Sequence, residues 1–122
     1  MSGGFKVKDL VLRFIAMPMA VQVFKQDKEQ FRKSKAQAVY LDLIDSVLEK
    51  LQEDFNQLKS DMYTKYHLDV KSLGKSEGKV KYSVNKQVIE FTSDELKNKT
   101  EELMREYLAN VELKSWERAR DI

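Results

Sequence analysis

The sequence contains no cysteine, and its 122 residues include only one histidine, one proline, one tryptophan and four glycines. The absence of cysteine excludes disulfides, thiol catalysis and cysteine-ligated zinc or iron–sulfur sites. A helical di-iron site needs two Glu-x-x-His pairs, and the single histidine, His67, cannot supply them. We therefore expect neither a metal site nor a cofactor.

Catalytic motifs are equally scarce. Gly74 and Gly78 do not have the spacing of a phosphate-binding loop, which requires Gly-x-x-x-x-Gly-Lys-Ser/Thr. A Ser-His-Asp arrangement would have to use His67, and the chain has no nucleophile elbow. We predict that the protein has no catalytic residues and is not an enzyme, and that His67 caps or flanks the end of a helix.

With 42% hydrophobic and 34% charged residues, the sequence is typical of one helix-rich globular domain over residues 1–122. The most apolar stretch, residues 10–24, is too short for a membrane span and contains Arg13 and Pro18. We expect a cytoplasmic protein. Secretion directed by residues 1–20 is the alternative, although Asp9 and Arg13 interrupt the usual layout of a signal peptide.

The first third of the chain predicts a flexible start over residues 1–4, followed by an apolar helical segment over residues 5–33. Pro18 lies in the middle of that segment. Because the residue before a proline disfavours helical dihedrals, Pro18 can open a second helix. A single helix kinked at the proline is the other possibility.

Residues 35–68 are predicted to form one long amphipathic helix, since no glycine or proline interrupts them. Apolar residues recur there at spacings of three and four, which is the pattern of one helix face. These residues are Tyr40, Ile44, Val47, Leu51, Phe55, Leu58, Met62 and Tyr66.

After a connection that contains Gly74 and Gly78, an alternating pattern over residues 79–91 predicts a β-hairpin. A two-residue turn at Asn85 and Lys86 suits this hairpin, because asparagine tolerates positive φ. The resulting register pairs Val80 with Phe91, Tyr82 with Ile89, and Lys81 with Glu90, so that apolar pairs share one face.

A C-terminal helix is predicted over residues 93–118. Thr92 followed by Glu95 is a capping box, in which each side chain bonds the backbone N–H of the other residue. Near the end of this helix, Trp116 is either the last core residue or an exposed contact residue.

The predicted fold class is mainly α with one β-hairpin (α+β). It comprises three to four helices around a long central helix, with the hairpin inserted before the C-terminal helix. Surplus apolar surface and a hairpin that needs cover favour a non-catalytic protein–protein interaction module, such as an adaptor, inhibitor or structural subunit, that binds a protein partner or forms a homodimer. The candidate partner contacts are Phe14, Met17, Met19, Phe24 and Trp116.

Nucleic-acid binding is the alternative function. The order of the elements resembles that of winged-helix proteins, and the hairpin region is rich in lysine. Against it, no turn signal sets off a short recognition helix within residues 35–68. The candidate phosphate contacts are Lys71, Lys75, Lys79, Lys81 and Lys86.

Overall fold

The computed structural model describes residues 2–32 and 38–120, with the side chains of residues 7–30 and 41–110. This part of the chain contains three helices and a three-stranded antiparallel sheet that precedes the last helix. The predicted class, mainly helical α+β, is confirmed. The helices are α1 Ser2–Arg32, α2 Ala38–Thr64 and α3 Ser93–Arg120, and the strands are β1 Val70–Ser76, β2 Lys79–Val84 and β3 Gln87–Thr92.

Helix α1 is a single helix with Pro18 inside it. It begins at Ser2, within the segment 1–4 for which a flexible start is predicted. The proline ring is exposed, whereas Met17 and Ala20 beside it are fully buried. A proline inside a helix removes one backbone hydrogen bond, which costs about 3 kcal/mol. The burial of Met17 and Ala20 offsets this cost. The joint predicted between α1 and α2 lies in residues 33–37, outside the described residues.

Helix α2 ends at Thr64, before the predicted limit of residue 68. His67 has a φ of 54°, and the backbone N–H of Leu68 donates a 2.7 Å hydrogen bond to the carbonyl oxygen of Met62. This bond joins residues six positions apart across left-handed His67, and Leu68 and Met62 are both buried in one apolar cluster. His67 lies beyond Thr64 and flanks the end of α2, which is one of the two predicted alternatives.

The sheet has the order β1-β2-β3, so the predicted hairpin forms two of its three strands. The predicted register is confirmed in all three pairs. Asn85 and Lys86 both have positive φ, 50° and 72°, as a type I′ turn requires. The connection expected around Gly74 is instead β1, which pairs with β2 and contains a bulge between Ser72 and Gly74.

Helix α3 starts with the predicted capping box. The backbone N–H of Glu95 donates to Oγ1 of Thr92 (3.1 Å), and the backbone N–H of Thr92 donates to Oε1 of Glu95 (3.3 Å). Further along α3, Thr100 is buried, and its hydroxyl donates a hydrogen bond to the carbonyl oxygen of Leu96 (2.7 Å). This bond allows a polar residue to lie within the apolar face of the helix.

The core consists of two apolar clusters. One joins the three helices, with Met17 and Phe24 from α1, Leu51 from α2 and Leu103 from α3 among its buried members. The other lies between the sheet and the helices and includes Phe91. The first half of α1, the end of α2 and the start of α3 thus cover one face of the sheet.

Candidate interaction surface

The two faces of the sheet have different surroundings. Val84 and Phe91 are buried against the helices, and Val80, Tyr82 and Ile89 pack around them. Because side chains alternate along a strand, the residues that lie between these in the sequence of β2 and β3 face away from the helices. The outer face therefore presents polar and charged side chains together with Val88, whose side chain is 59% exposed.

One edge of the sheet, β1, has features that prevent pairing with another strand. The bulge between Ser72 and Gly74 interrupts its regular backbone, and Gly74 takes a φ of 89° there. Lys71 and Lys75 are exposed on either side of the bulge. Bulges and lysines are common means by which proteins keep an edge strand from recruiting another chain.

The other edge, β3, has none of these features. Its six residues contain no proline, glycine or lysine, and its register with β2 is unbroken. Because a two-residue turn is closed by the hydrogen-bonded pair Val84–Gln87, the N–H and C=O groups of Val88 and Glu90 point away from β2. Within the part of the chain that the structure describes, no hydrogen-bond partner lies on that side of Val88 or Glu90.

Three of the five candidate phosphate contacts lie beside carboxylates. Lys79 and Lys81 both lie beside Glu90, with Nζ to carboxylate oxygen distances of 3.5 and 3.7 Å. Lys71 Nζ lies 3.7 Å from Asp69 Oδ2. Lys75 lies on β1 opposite Val80, which stands between Lys79 and Lys81, and Lys86 lies in the β2–β3 turn.

The candidate partner contacts in α1 are mostly interior. Met17 and Phe24 are buried in the helical cluster, so they are core residues and not surface contacts of this chain. Phe14 is half-buried and stacks on Phe55, with 5.3 Å between ring centroids. Met19 is 39% exposed, beside the buried Thr100. The side chain of Trp116 lies outside those that the structure describes.

A polar cluster joins the three helices. The Tyr107 hydroxyl donates to Oδ2 of Asp54 (2.5 Å), whose other oxygen lies 3.1 Å from Lys50 Nζ. Burial, and then the hydrogen bond to Asp54, raise the pKa of Tyr107 well above its ordinary value. Arg13, the only charged residue of the apolar stretch, lies 3.8 Å from Glu106. Tyr107 therefore stays neutral at physiological pH and connects the helices through Asp54.

Other polar groupings offer little to a small ligand. A shallow depression between α1 and α3 is lined by Lys8, Asp9, Leu12 and Glu95. Its charged groups have other contacts: Asp9 lies 3.9 Å from Lys99 Nζ, and Glu95 accepts from Thr92. Within the described residues, no three His, Asp or Glu side chains are placed to hold a metal ion.

No helix within residues 2–32 and 38–120 combines the length and the apolar character needed to cross a bilayer.

The open edge of β3 is the feature that the sequence did not reveal. The alternation over residues 79–91 predicts a hairpin and leaves both of its edges equivalent. β1 then pairs with β2, so β3 becomes the edge that has no protection. A signal is present in the composition, since residues 70–76 contain glycine and two lysines, whereas residues 87–92 contain neither.

The fold thus defines a small helical protein with an antiparallel sheet that is open at one edge. The family described as "YhjD: YhjD protein" matches residues 6–112, and the chain belongs to this family. No curated protein and no solved structure matches the chain.

Proposed function

We propose that this protein is a small, non-catalytic interaction module that binds another protein chain by strand pairing along β3. The carrying observation is the unpaired and unprotected edge of that strand. An edge of this kind is a template for an added strand, because each outward N–H and C=O group can bond to an incoming backbone.

The exposed side chain of Val88 supports the same function. Valine suits a strand flanked on both sides, where a neighbouring chain covers its branched side chain. At 59%, Val88 is the most exposed of the large apolar residues in the described part of the chain. An added strand would cover it and would bond to its backbone at the same time.

The non-catalytic character of the proposal is supported by the state of the groups that could do acid–base chemistry. Tyr107 is held neutral by burial, and its hydroxyl is already bonded to Asp54. His67 is exposed beyond the end of α2, where its backbone takes a positive φ. Neither residue is placed beside a nucleophile in a closed pocket, which acid–base catalysis would require.

The lysines support protein binding over nucleic-acid binding. Three of the five candidate phosphate contacts lie within 4 Å of a carboxylate, which lowers the net positive charge that a phosphate backbone would meet. The helices that precede the sheet, of 31 and 27 residues, also differ from a short recognition helix set off by a turn.

Site-specific photo-crosslinking in cells that make the protein tests this proposal. A photoreactive amino acid replaces Val88 in one variant and Leu73 in the matched control. Leu73 is also an exposed apolar residue, at 53%, but it lies on the protected edge strand β1. Circular dichroism and the melting temperature of both purified variants establish that the fold is retained.

We expect a discrete protein adduct from position 88 and a much weaker one from position 73. Equal labelling at the two positions would contradict the proposal, because it would indicate contact that is not specific to the β3 edge. Adducts to nucleic acid, or no adduct at position 88, would also contradict it.

A further inference from the structure

We propose that the partner of β3 is the β3 strand of a second copy of this chain, paired antiparallel across a two-fold axis to give a six-stranded sheet. This inference rests on the proposed function and specifies the chain that is bound. It is argued from the register that two copies of β3 can adopt, from the charges they bring together, and from what lies at the two ends of the combined sheet.

The pleat restricts the register. Residues opposite each other in an antiparallel pair must point to the same face of the sheet, so inner-face residues meet inner-face residues. The outward backbone groups of β3 belong to Val88 and Glu90. Placing Val88 opposite Glu90 of the second copy forms four hydrogen bonds between these residues and sets Ile89 on the two-fold axis.

Charge disfavours one of the two neighbouring registers. Shifting the strands by one pair would place Glu90 directly opposite Glu90 of the second copy, and like charges at that position are destabilising. In the proposed register each Glu90 lies opposite a valine and keeps its contacts with Lys79 and Lys81. The exposed side chain of Val88 gains a cross-strand neighbour.

The protected strand β1 explains why this pairing stops at two copies. Each chain has one open edge, and the two open edges are used in the two-fold contact. The combined sheet then ends on both sides at β1, with its bulge and its lysines. Such an arrangement closes the assembly, whereas a chain with two open edges would form fibres.

The absence of cysteine from the natural sequence makes the register directly testable. On the two-fold axis, the Cα atoms of Ile89 and its counterpart would be about 4.5 Å apart, within the range that a disulfide can span. The counterparts of Val88, and those of Glu90, would be about 7–8 Å apart and outside that range. Ile89→Cys, Val88→Cys and Glu90→Cys are therefore three variants with distinct outcomes.

The full-length variants are oxidised mildly at several protein concentrations and analysed by non-reducing electrophoresis, after circular dichroism has confirmed the fold. We expect Ile89→Cys to form a disulfide-linked dimer, reversible by a thiol, much faster than the other two variants. Faster crosslinking of Glu90→Cys, or of Val88→Cys, would overturn the proposed register. Slow crosslinking of all three would overturn the two-fold pairing.

A further comparison keeps the test independent of any loss of stability at Ile89, which is half-buried. Val88→Glu places a carboxylate directly opposite Glu90 of the second copy without altering the inner face, and it should reduce the crosslinking of Ile89→Cys when both changes are combined. Leu73→Glu is the matched control and should leave crosslinking unchanged. If Val88→Glu has no effect, the disulfide reports random collision and the inference fails.

The two proposals can fail separately. If position 88 crosslinks in cells to a different protein while Ile89→Cys stays monomeric, β3 is a binding edge but not a homodimer contact. If position 88 gives no protein adduct and Ile89→Cys stays monomeric, both proposals are wrong.

Discussion

The side chain of Asn85, at the first position of the β2–β3 turn, accepts a 2.8 Å hydrogen bond from the backbone N–H of Asp69. Its Nδ2 donates to the carbonyl oxygen of His67 (3.1 Å), and its own N–H donates to the carbonyl oxygen of Asp69 (3.0 Å). One turn residue thus connects the sheet to the segment that ends α2. The same residue supplies the positive φ that the turn requires.

Substitution of Asn85 separates these two roles. Asn85→Gly keeps the conformational freedom but removes both side-chain hydrogen bonds, and we expect it to lower the free energy of unfolding by about 1–3 kcal/mol. Asn85→Ala should cost about 1–2 kcal/mol more, because alanine is strained at positive φ. Urea unfolding followed by circular dichroism measures both values. Equal stability of Asn85→Gly and the natural protein would show that the bridge to His67 and Asp69 contributes nothing.

The second residue of that turn offers a stabilising change. Lys86 has a φ of 72°, at a position where type I′ turns favour glycine, and we expect Lys86→Gly to raise the free energy of unfolding by about 1 kcal/mol. Gly78→Ala is the reverse control. Its φ is 75° and nothing lies within 4 Å of an added Cβ, so only backbone strain should destabilise it. A loss of stability in Lys86→Gly would contradict the assignment of the turn.

The pKa of Tyr107 predicts how stability changes in alkali. Folding raises this pKa, so the unfolded chain loses the phenol proton at a lower pH than the folded protein does. The contribution of Tyr107 is therefore complete below the ordinary tyrosine pKa of about 10 and declines as the pH rises beyond it. Tyr107→Phe has no phenol proton to lose, so the part of the alkaline loss of stability that Tyr107 causes should be absent from this variant. At neutral pH the variant should be less stable than the natural protein by about 1–3 kcal/mol. Identical alkaline profiles of the two proteins would contradict the proposed burial and hydrogen bonding.

The packing of α2 is tested by a charge placed in its buried face. Leu51 is fully buried in the helical cluster, so Leu51→Asp should abolish folding by introducing an unpaired carboxylate there. Gln52→Asp, at the exposed position next to it, should leave the melting temperature nearly unchanged. A folded Leu51→Asp variant with an unaltered melting temperature would show that the buried face of α2 is wrongly assigned.

Local patterns in the sequence were enough to predict the hairpin and the start of α3. The register between Tyr82 and Ile89 follows from alternation together with a two-residue turn, and both are contained within a few residues. The capping box at Thr92 is equally local. Both features depend on neighbours in sequence, and both predictions were confirmed.

Features that depend on distant contacts were not predictable in this way. Residues 70–76 do not alternate, and they form β1 because β2 offers them an edge and the bulge accommodates Gly74. From Pro18 alone, one kinked helix and two separate helices were equally possible. Tertiary packing selects the single helix. The burial of Met17 and Phe24, both proposed as partner contacts, depends on α2 and α3. The candidate site is the β3 edge. It could not be predicted from the sequence, because it depends on the position of β1.

The solution mass of the purified protein, measured by light scattering over a range of concentrations, tests most directly whether β3 joins two copies. We expect a concentration-dependent rise towards twice the 14.3 kDa of one chain, with no bound nucleic acid in the absorbance spectrum. Val88→Glu should remain monomeric, because it sets like charges opposite each other, and Leu73→Glu should behave as the natural protein does. A natural protein that stays monomeric at every concentration, or equal dimerisation of Val88→Glu, would contradict this account.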